Sequence, residues 1–164
     1  MTLPASSSLL QLSSLLGEKL LAHGWRVATA ESCTGGGIAA AITAVAGSSS
    51  WFEYGIVSYA NSAQEKLLQV TPQTLLEHGA VSQAVVEQMV VGVLALSSAD
   101  IAVAVSGIAG PTGGTAEKPV GTVWFAWGLA SGDIHSECFH FVGDRSSVQS
   151  QAVVQGLNGL LKLL

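Results

Sequence analysis

The chain has 164 residues and a formal net charge of −5, and only 10% of its residues are charged. A chain of this length predicts one domain, over residues 1–164, whose core needs neither disulfides nor a metal. The six basic residues form no stripe, and no apolar run is long enough for a membrane helix, so we expect neither nucleic acid nor a membrane as a partner.

Apolar periodicity and capping residues define the elements. The first half predicts a helix between Ser6–Ser8 and Gly24, a strand over 25–30, a helix over 36–45, a strand over 52–60 and a helix over 61–69. The second half predicts helices over 72–79 and 82–96, a strand over 100–105, strands over 122–129 and 134–142, and a helix over 144–164. The expected N-caps are Ser6–Ser8, Asn61, Thr71, Ser82 and Asp144.

The order of these elements indicates the fold class. Helices and strands alternate in the first two-thirds of the chain, which is typical of a largely parallel sheet covered on both faces. The last two strands flank Ser131-Gly132-Asp133 and form an antiparallel hairpin. We therefore predict an α/β fold, a three-layer α/β/α sandwich with a mostly parallel sheet and an antiparallel edge hairpin.

Three polar loops follow strands of the predicted sheet. They cover residues 31–37, 60–66 and 106–121, and each is rich in Gly, Ser, Thr or Asn. Because ligands of open α/β sheets bind outside the carboxyl ends of the strands, these loops predict a site for a small molecule. An anionic ligand would have to be met by backbone N–H groups or by Lys66, Lys118 or Arg145.

The run Gly35-Gly36-Gly37 opens a predicted helix, whose free N–H groups and positive end suit a phosphate. It lacks the lysine of a P-loop, and the following strand lacks an acidic partner for a ribose. The alternative is that these glycines serve only a tight turn and close helix packing. Glu31 either braces the same loop by hydrogen bonds or has a functional role.

The run Ser48-Ser49-Ser50 lies near Tyr59 and Lys66 in sequence. A serine becomes a nucleophile only when a base takes its proton, and a neutral lysine amine can be that base. The alternative is that these serines only form a loop or cap a helix.

The histidines pair with no acid at metal or catalytic spacing, and Cys33 and Cys138 fit free thiols in a reducing cytoplasm. We expect no cofactor and no metal.

Five blocks resemble the C-terminal domain of the CinA proteins: AESCTGG (30–36), AGSS (46–49), SGIAGP (106–111), KPVGTV (118–123) and GDR (143–145). They cover nearly the whole chain in order. The resemblance implies an amidohydrolase that converts nicotinamide mononucleotide (NMN) and water to nicotinic acid mononucleotide and ammonia in pyridine nucleotide salvage, without a metal. It also implies a homo-oligomer built from dimers, which agrees with the low surface charge.

The resemblance implies a catalytic serine, tyrosine, arginine and lysine. The first three correspond to Ser49, Tyr59 and Arg145, and Ser32 is the other candidate nucleophile. Gln64 occupies the lysine position, since the family pattern Tyr-Ser-Asn-x-Ala-Lys reads YANSAQ here. Lys66 lies two residues further, about 200° around the helix.

Because Gln64 replaces the lysine of the family pattern, two functions stay open. The chain is an active NMN deamidase centred on a Ser49–Tyr59–Gln64 neighbourhood, or a weak or inactive relative that binds pyridine nucleotide. The predicted substrate-binding residues are Ser32, Thr34, Gly35, Gly36, Asn61, Ser106, Gly107, Gly110 and Arg145.

Overall fold

The computed structural model describes the backbone of residues 5–164 and the side chains of residues 8–164. The helices are α1 (Ala5–His23), α2 (Gly37–Thr43), α3 (Asn61–Leu68), α4 (Pro72–His78), α5 (Gln83–Leu96) and α6 (Arg145–Lys162). The strands are β1 (Val27–Glu31), β2 (Phe52–Val57), β3 (Ile101–Gly107), β4 (Thr122–Leu129) and β5 (Ile134–His140), and a single 3-10 turn covers Ser48–Ser50.

The five strands form one sheet in the order β2-β1-β3-β4-β5. Strand β1 pairs in parallel with both β2 and β3, whereas β4 is antiparallel to β3 and to β5. Only β4 therefore runs against the common strand direction. This mixed sheet confirms the predicted α/β class, with the hairpin β4–β5 at one edge.

Two apolar cores hold helices on opposite faces of the sheet. Helices α1, α2 and α6 pack on one face, around the stacked rings of Phe125 and Trp127. A Cβ at Gly159 of α6 would lie 1.9 Å from the Trp127 ring, so only glycine allows this helix to approach so closely. Helices α3, α4 and α5 cover the other face over the small residues Ala28, Ala102 and Ala126.

Three predicted caps are confirmed, because side-chain oxygens of Thr71, Ser82 and Asp144 accept hydrogen bonds from backbone N–H groups in the first turns of α4, α5 and α6. The prediction for Asn61 is wrong. The extended residue Ala60 is the N-cap of α3, its carbonyl accepts from the N–H of Gln64 at 3.2 Å, and Asn61 is already helical.

Several boundaries differ from prediction by one to three residues, and two of them matter for the site or the caps. Helix α1 already includes Ala5, so Ser6–Ser8 are helical residues, and the cap of α1 lies outside the described residues. Strand β2 stops at Val57 rather than near residue 60, because its partner β1 ends at Glu31 and offers no further pairing. Within residues 5–164, none of the helices combines the length and the apolar composition of a membrane span.

Candidate functional site

A cleft of about 350 Å³ opens at the carboxyl ends of β1, β2 and β3. This is the edge at which open α/β sheets bind ligands. The lining combines hydroxyl groups, small apolar residues and one guanidinium: Ser32, Cys33, Tyr59, Ala80, Val81, Ser106, Gly107, Ile108, Ala109, Gly110, Thr112, Gly113 and Arg145.

The first wall of the cleft is the loop of residues 31–37, and Glu31 organises it. The fully buried carboxylate accepts hydrogen bonds from Thr34 Oγ1 at 2.6 Å and from the N–H groups of Ile38 at 2.8 Å and Ala39 at 3.0 Å. The start of α2 is thus bonded to an internal anion, which occupies N–H groups that a phosphate would otherwise use. This geometry matches the alternative in which Glu31 braces the loop by hydrogen bonds.

Cys33 joins the first wall to α6. Its carbonyl accepts a hydrogen bond from Gln149 Nε2 at 3.0 Å. Burial raises the pKa of the Cys33 thiol to about 12, and the nearby Glu31 carboxylate adds to this effect. The group that faces the cleft is therefore a neutral thiol near pH 7, not a nucleophilic thiolate.

The second wall is the loop of residues 108–121 between β3 and β4. The N–H of Ile108 bonds to the Thr122 carbonyl at 2.9 Å, and the N–H of Gly121 bonds to the Ile108 carbonyl at 2.7 Å. Lys118 Nζ donates to the His78 carbonyl at 2.8 Å. Lys118 therefore anchors this wall to the end of α4, next to Ala80 and Val81 of the cleft.

Arg145, the first residue of α6, links the second wall to Tyr59. Its Nη1 donates to the Gly110 carbonyl at 2.8 Å, and its Nη2 donates to Tyr59 Oη at 3.0 Å. Among the described lining residues it is the one with a charged side chain. A guanidinium held in this way is suited to forked contact with a phosphate or carboxylate.

Gln64 is fully buried in α3, and its Nε2 donates to the Ser58 carbonyl at 3.4 Å. Among the described groups, Gln64 Oε1 and Ser58 Oγ are buried and have no hydrogen-bond partner. The adjacent Tyr59 lies at the mouth of the cleft. Lys66 points elsewhere, as helical geometry predicts: it is exposed and lines an open surface groove with residues of α3 and α4.

Ser49 lies far from these groups within one chain. The 3-10 turn Ser48–Ser50 precedes β2, and Arg26, just before β1, donates to the Ser49 carbonyl at 3.3 Å. Ser49 thus sits at the amino edge of the sheet, roughly 20 Å from the carboxyl edge given six residues of strand. The predicted Ser49–Tyr59–Gln64 neighbourhood does not form in a single chain.

The structure divides the predicted site residues into two groups. Those that line the cleft together are Ser32, Tyr59, Ser106, Gly107, Gly110 and Arg145. Those that lie outside its lining are Thr34, Gly35, Gly36, Ser49, Asn61, Gln64 and Lys66. The sequence analysis did not predict Ala80 and Val81, which carry no motif. Five further lining residues lie in the predicted loops 31–37 and 106–121 but were not predicted as site residues: Cys33, Ile108, Ala109, Thr112 and Gly113.

Comparisons with known proteins agree over nearly the whole chain. A family model described as the CinA C-terminal domain matches residues 9–164. A nicotinamide-nucleotide amidohydrolase PncC of Escherichia coli (strain K12) is 52% identical over 156 residues, which cover 94% of this chain and 93% of the relative. The PncC of Pseudomonas putida is 55% identical over 152 residues, covering 93% and 94%. A crystal structure of the competence/damage inducible protein CihA from Agrobacterium tumefaciens superposes with a TM-score of 0.94 at 40% identity and covers 99% of each chain.

Proposed function

The chain belongs to the CinA C-terminal domain family, and from this we propose that it is a nicotinamide-nucleotide amidohydrolase. It hydrolyses NMN to nicotinic acid mononucleotide and ammonia. The observation that carries the proposal is the cleft at the carboxyl edge, where one guanidinium faces serine hydroxyls and a glycine-rich wall. Relatives more than half identical that are named for this activity support the same substrate.

Arg145 binds the phosphate of the nucleotide in this proposal. Its side chain is fixed by Gly110 and Tyr59, so little conformational entropy is lost when a phosphate binds. Because Glu31 already occupies the start of α2, the first wall supplies shape and the Ser32 hydroxyl rather than the main anion contact.

Ser32 is the nucleophile that the geometry favours within one chain, because it lines the cleft and Ser49 does not. Its Oγ attacks the carboxamide carbon of NMN, the C–N bond breaks, and ammonia leaves with the proton that the hydroxyl released. Water then hydrolyses the ester between Ser32 and the nicotinoyl group, which restores the hydroxyl and releases the acid. Backbone N–H groups of the glycine-rich second wall are suited to stabilise the oxyanion.

The family's lysine, which would act as the general base, is replaced by Gln64 in this chain. Gln64 has no basic group, so it cannot take the serine proton, and general-base help is worth about 10²–10⁴-fold in rate. The proposed activity is therefore slow. Gln64 is buried against Ser58, the residue before Tyr59, and its Oε1 has no partner among the described groups, so Gln64→Lys tests whether a basic group at this position raises the rate.

The test follows ammonia and nicotinic acid mononucleotide after NMN is added to the pure protein. We expect slow turnover by the wild type, a rate about 10²-fold higher or more for Gln64→Lys, and no gain for Gln73→Lys, which adds the same charge on exposed α4. EDTA should leave the rates unchanged. An absence of turnover in both the wild type and Gln64→Lys would overturn the proposed function.

We further propose that this chain folds as a single domain, and that it works in the cytoplasm as a homodimer or higher homo-oligomer. Free Cys33 and Cys138 support a reducing compartment. The low proportion of charged residues supports the burial of surface between copies.

A further inference from the structure

We propose that Gln149 is a positioning residue for the nucleophile. Its side chain holds the Cys33 carbonyl, and through this bond helix α6 fixes where the Ser32 hydroxyl lies relative to Arg145. The role of Ser32 in this inference rests on the proposed function, whereas the hold of Gln149 on Cys33 is measurable without turnover.

One face of α6 contacts the two walls of the cleft at three successive turns. Arg145, Gln149 and Val153 are spaced four residues apart, so their side chains lie on the same face, about 6 Å apart along the helix axis. Arg145 bonds to the second wall, and Gln149 Nε2 donates to the Cys33 carbonyl of the first wall at 3.0 Å. Val153 packs where the first wall ends, since a Cβ at Gly37 would lie 2.8 Å from Val153 Cγ2. The same helix face therefore sets the spacing between the two walls.

The bonds within the first wall and to the sheet leave the Cys33 carbonyl to α6. The Glu31 carboxylate bonds to the start of α2, which lies beyond Cys33 in the chain. The N–H of Ser32, just before Cys33, donates to the Val105 carbonyl at 3.1 Å. Gln149 supplies the donor for the carbonyl between these two attachments. Because Cys33 directly follows Ser32, a rotation of the Cys33 backbone would move the Ser32 hydroxyl.

Gln149 acts from behind the wall and not on the substrate. It is absent from the lining of the cleft and lines a neighbouring groove of about 620 Å³, which shares Ala109 and Arg145 with the cleft. The loss of one neutral hydrogen bond changes stability little. A nucleophile displaced by about 1 Å, in contrast, loses about 10²-fold in rate. The bond to Cys33 should therefore matter more for the rate than for the fold.

The first test compares kcat and KM for NMN in three variants. Gln149→Met keeps the length of the side chain but removes the donor. Gln149→Arg restores a donor, because the arginine Nε–H lies as many bonds from the backbone as the glutamine Nε2, and the groove has room for the rest of the guanidinium. Gln151→Met is the matched control: Gln151 lies on the same helix and donates to the carbonyl of Val142, which does not line the cleft.

Each variant is made in the wild type and in the Gln64→Lys background, where faster turnover is expected. In both we expect kcat to fall between about 10-fold and 10²-fold for Gln149→Met, with little change in KM. Gln149→Arg should recover most of the kcat, and Gln151→Met should match its parent. The proposal is overturned by an unchanged kcat in Gln149→Met, by a rise in KM alone, by no recovery in Gln149→Arg, or by an equal loss in Gln151→Met.

The second test measures the hold on Cys33 without turnover. Amide hydrogen exchange is followed over residues 31–37, and iodoacetamide labelling is followed at Cys33. Both rates should rise about fivefold in Gln149→Met, as expected for the loss of one hydrogen bond, and stay at the wild-type level in Gln149→Arg and Gln151→Met. Cys138, on β5, is the internal reference, and its labelling rate should not change.

The two tests separate this proposal from the proposed function. If neither the wild type nor Gln64→Lys turns over NMN, the proposed function fails, and the exchange and labelling rates alone decide whether Gln149 holds the first wall. If NMN is turned over but exchange and labelling in Gln149→Met match the wild type, the bond does not hold Cys33 and the positioning role is overturned. Urea denaturation of each variant separates local opening of the wall from global unfolding.

Discussion

The two walls of the cleft are built differently. The first wall, residues 31–37, is locked from within, because the buried carboxylate of Glu31 bonds to Thr34, Ile38 and Ala39. The second wall, residues 108–121, is longer, mostly exposed from Pro111 to Glu117, and held from outside by Arg145 and Lys118. The first wall therefore fixes the position of the Ser32 hydroxyl, while the second wall is free to adjust to the ligand.

The largest effect is expected when Glu31, which holds the first wall, is replaced. Glu31→Ala leaves buried N–H groups of α2 and the Thr34 hydroxyl without an acceptor, so we expect a loss of about 3–5 kcal/mol in the free energy of unfolding. Urea denaturation measures this loss. Glu77→Ala, at an exposed acid on α4, should cost less than about 0.5 kcal/mol. Equal, small effects would show that Glu31 does not hold the wall.

Arg145, which joins the second wall to Tyr59, is the next target. Arg145→Lys keeps the charge but loses the fork that reaches Gly110 and Tyr59. We expect the KM for NMN to rise about tenfold for Arg145→Lys, and further for Arg145→Ala, with unfolding free energies close to the wild type. Unchanged KM values would remove Arg145 from phosphate binding.

Replacing Lys118, which holds the second wall to the end of α4, should have a weaker effect, and one limited to the second wall. Lys118→Met keeps the length of the side chain but removes the hydrogen bond to the His78 carbonyl. We expect a KM increase of a few fold, corresponding to about 1 kcal/mol, and little change in kcat, because the wall loosens without moving Ser32. Amide hydrogen exchange should rise in residues 108–121 and stay unchanged in residues 31–37.

Sequence reasoning predicted the elements well because their signals are local. Thr71 followed by Pro72, or Ser82 before an apolar helix, carries its own capping chemistry. The cleft depends on contacts that no local pattern encodes, such as Lys118 with the carbonyl of His78, 40 residues away in sequence. The predicted closeness of Ser49 and Tyr59 failed for a related reason. They are ten residues apart in sequence, but strand β2 runs between them and puts them at opposite edges of the sheet.

The smallest effect concerns the thiol of the first wall. Because burial raises the pKa of Cys33 to about 12, its thiol stays protonated up to about pH 10 and only a trace is thiolate at pH 8. Cys138 is half-buried, and desolvation raises its pKa as well, but it remains accessible. We expect iodoacetamide at pH 8 to label Cys138 slowly and Cys33 only when the wall opens, as mass spectrometry of each peptide can measure.

The same labelling measures how firmly the first wall is locked. In Lys118→Met the rate at Cys33 should match the wild type, because only the second wall loosens. In Glu31→Gln, which keeps the shape of the side chain but removes its charge, the rate at Cys33 should rise while that at Cys138 stays the same, because the wall opens more often and because the carboxylate no longer raises the pKa of the Cys33 thiol. Since Cys33 lines the cleft, faster labelling in both variants would mean that the two walls move as one, and the contrast between them would not hold.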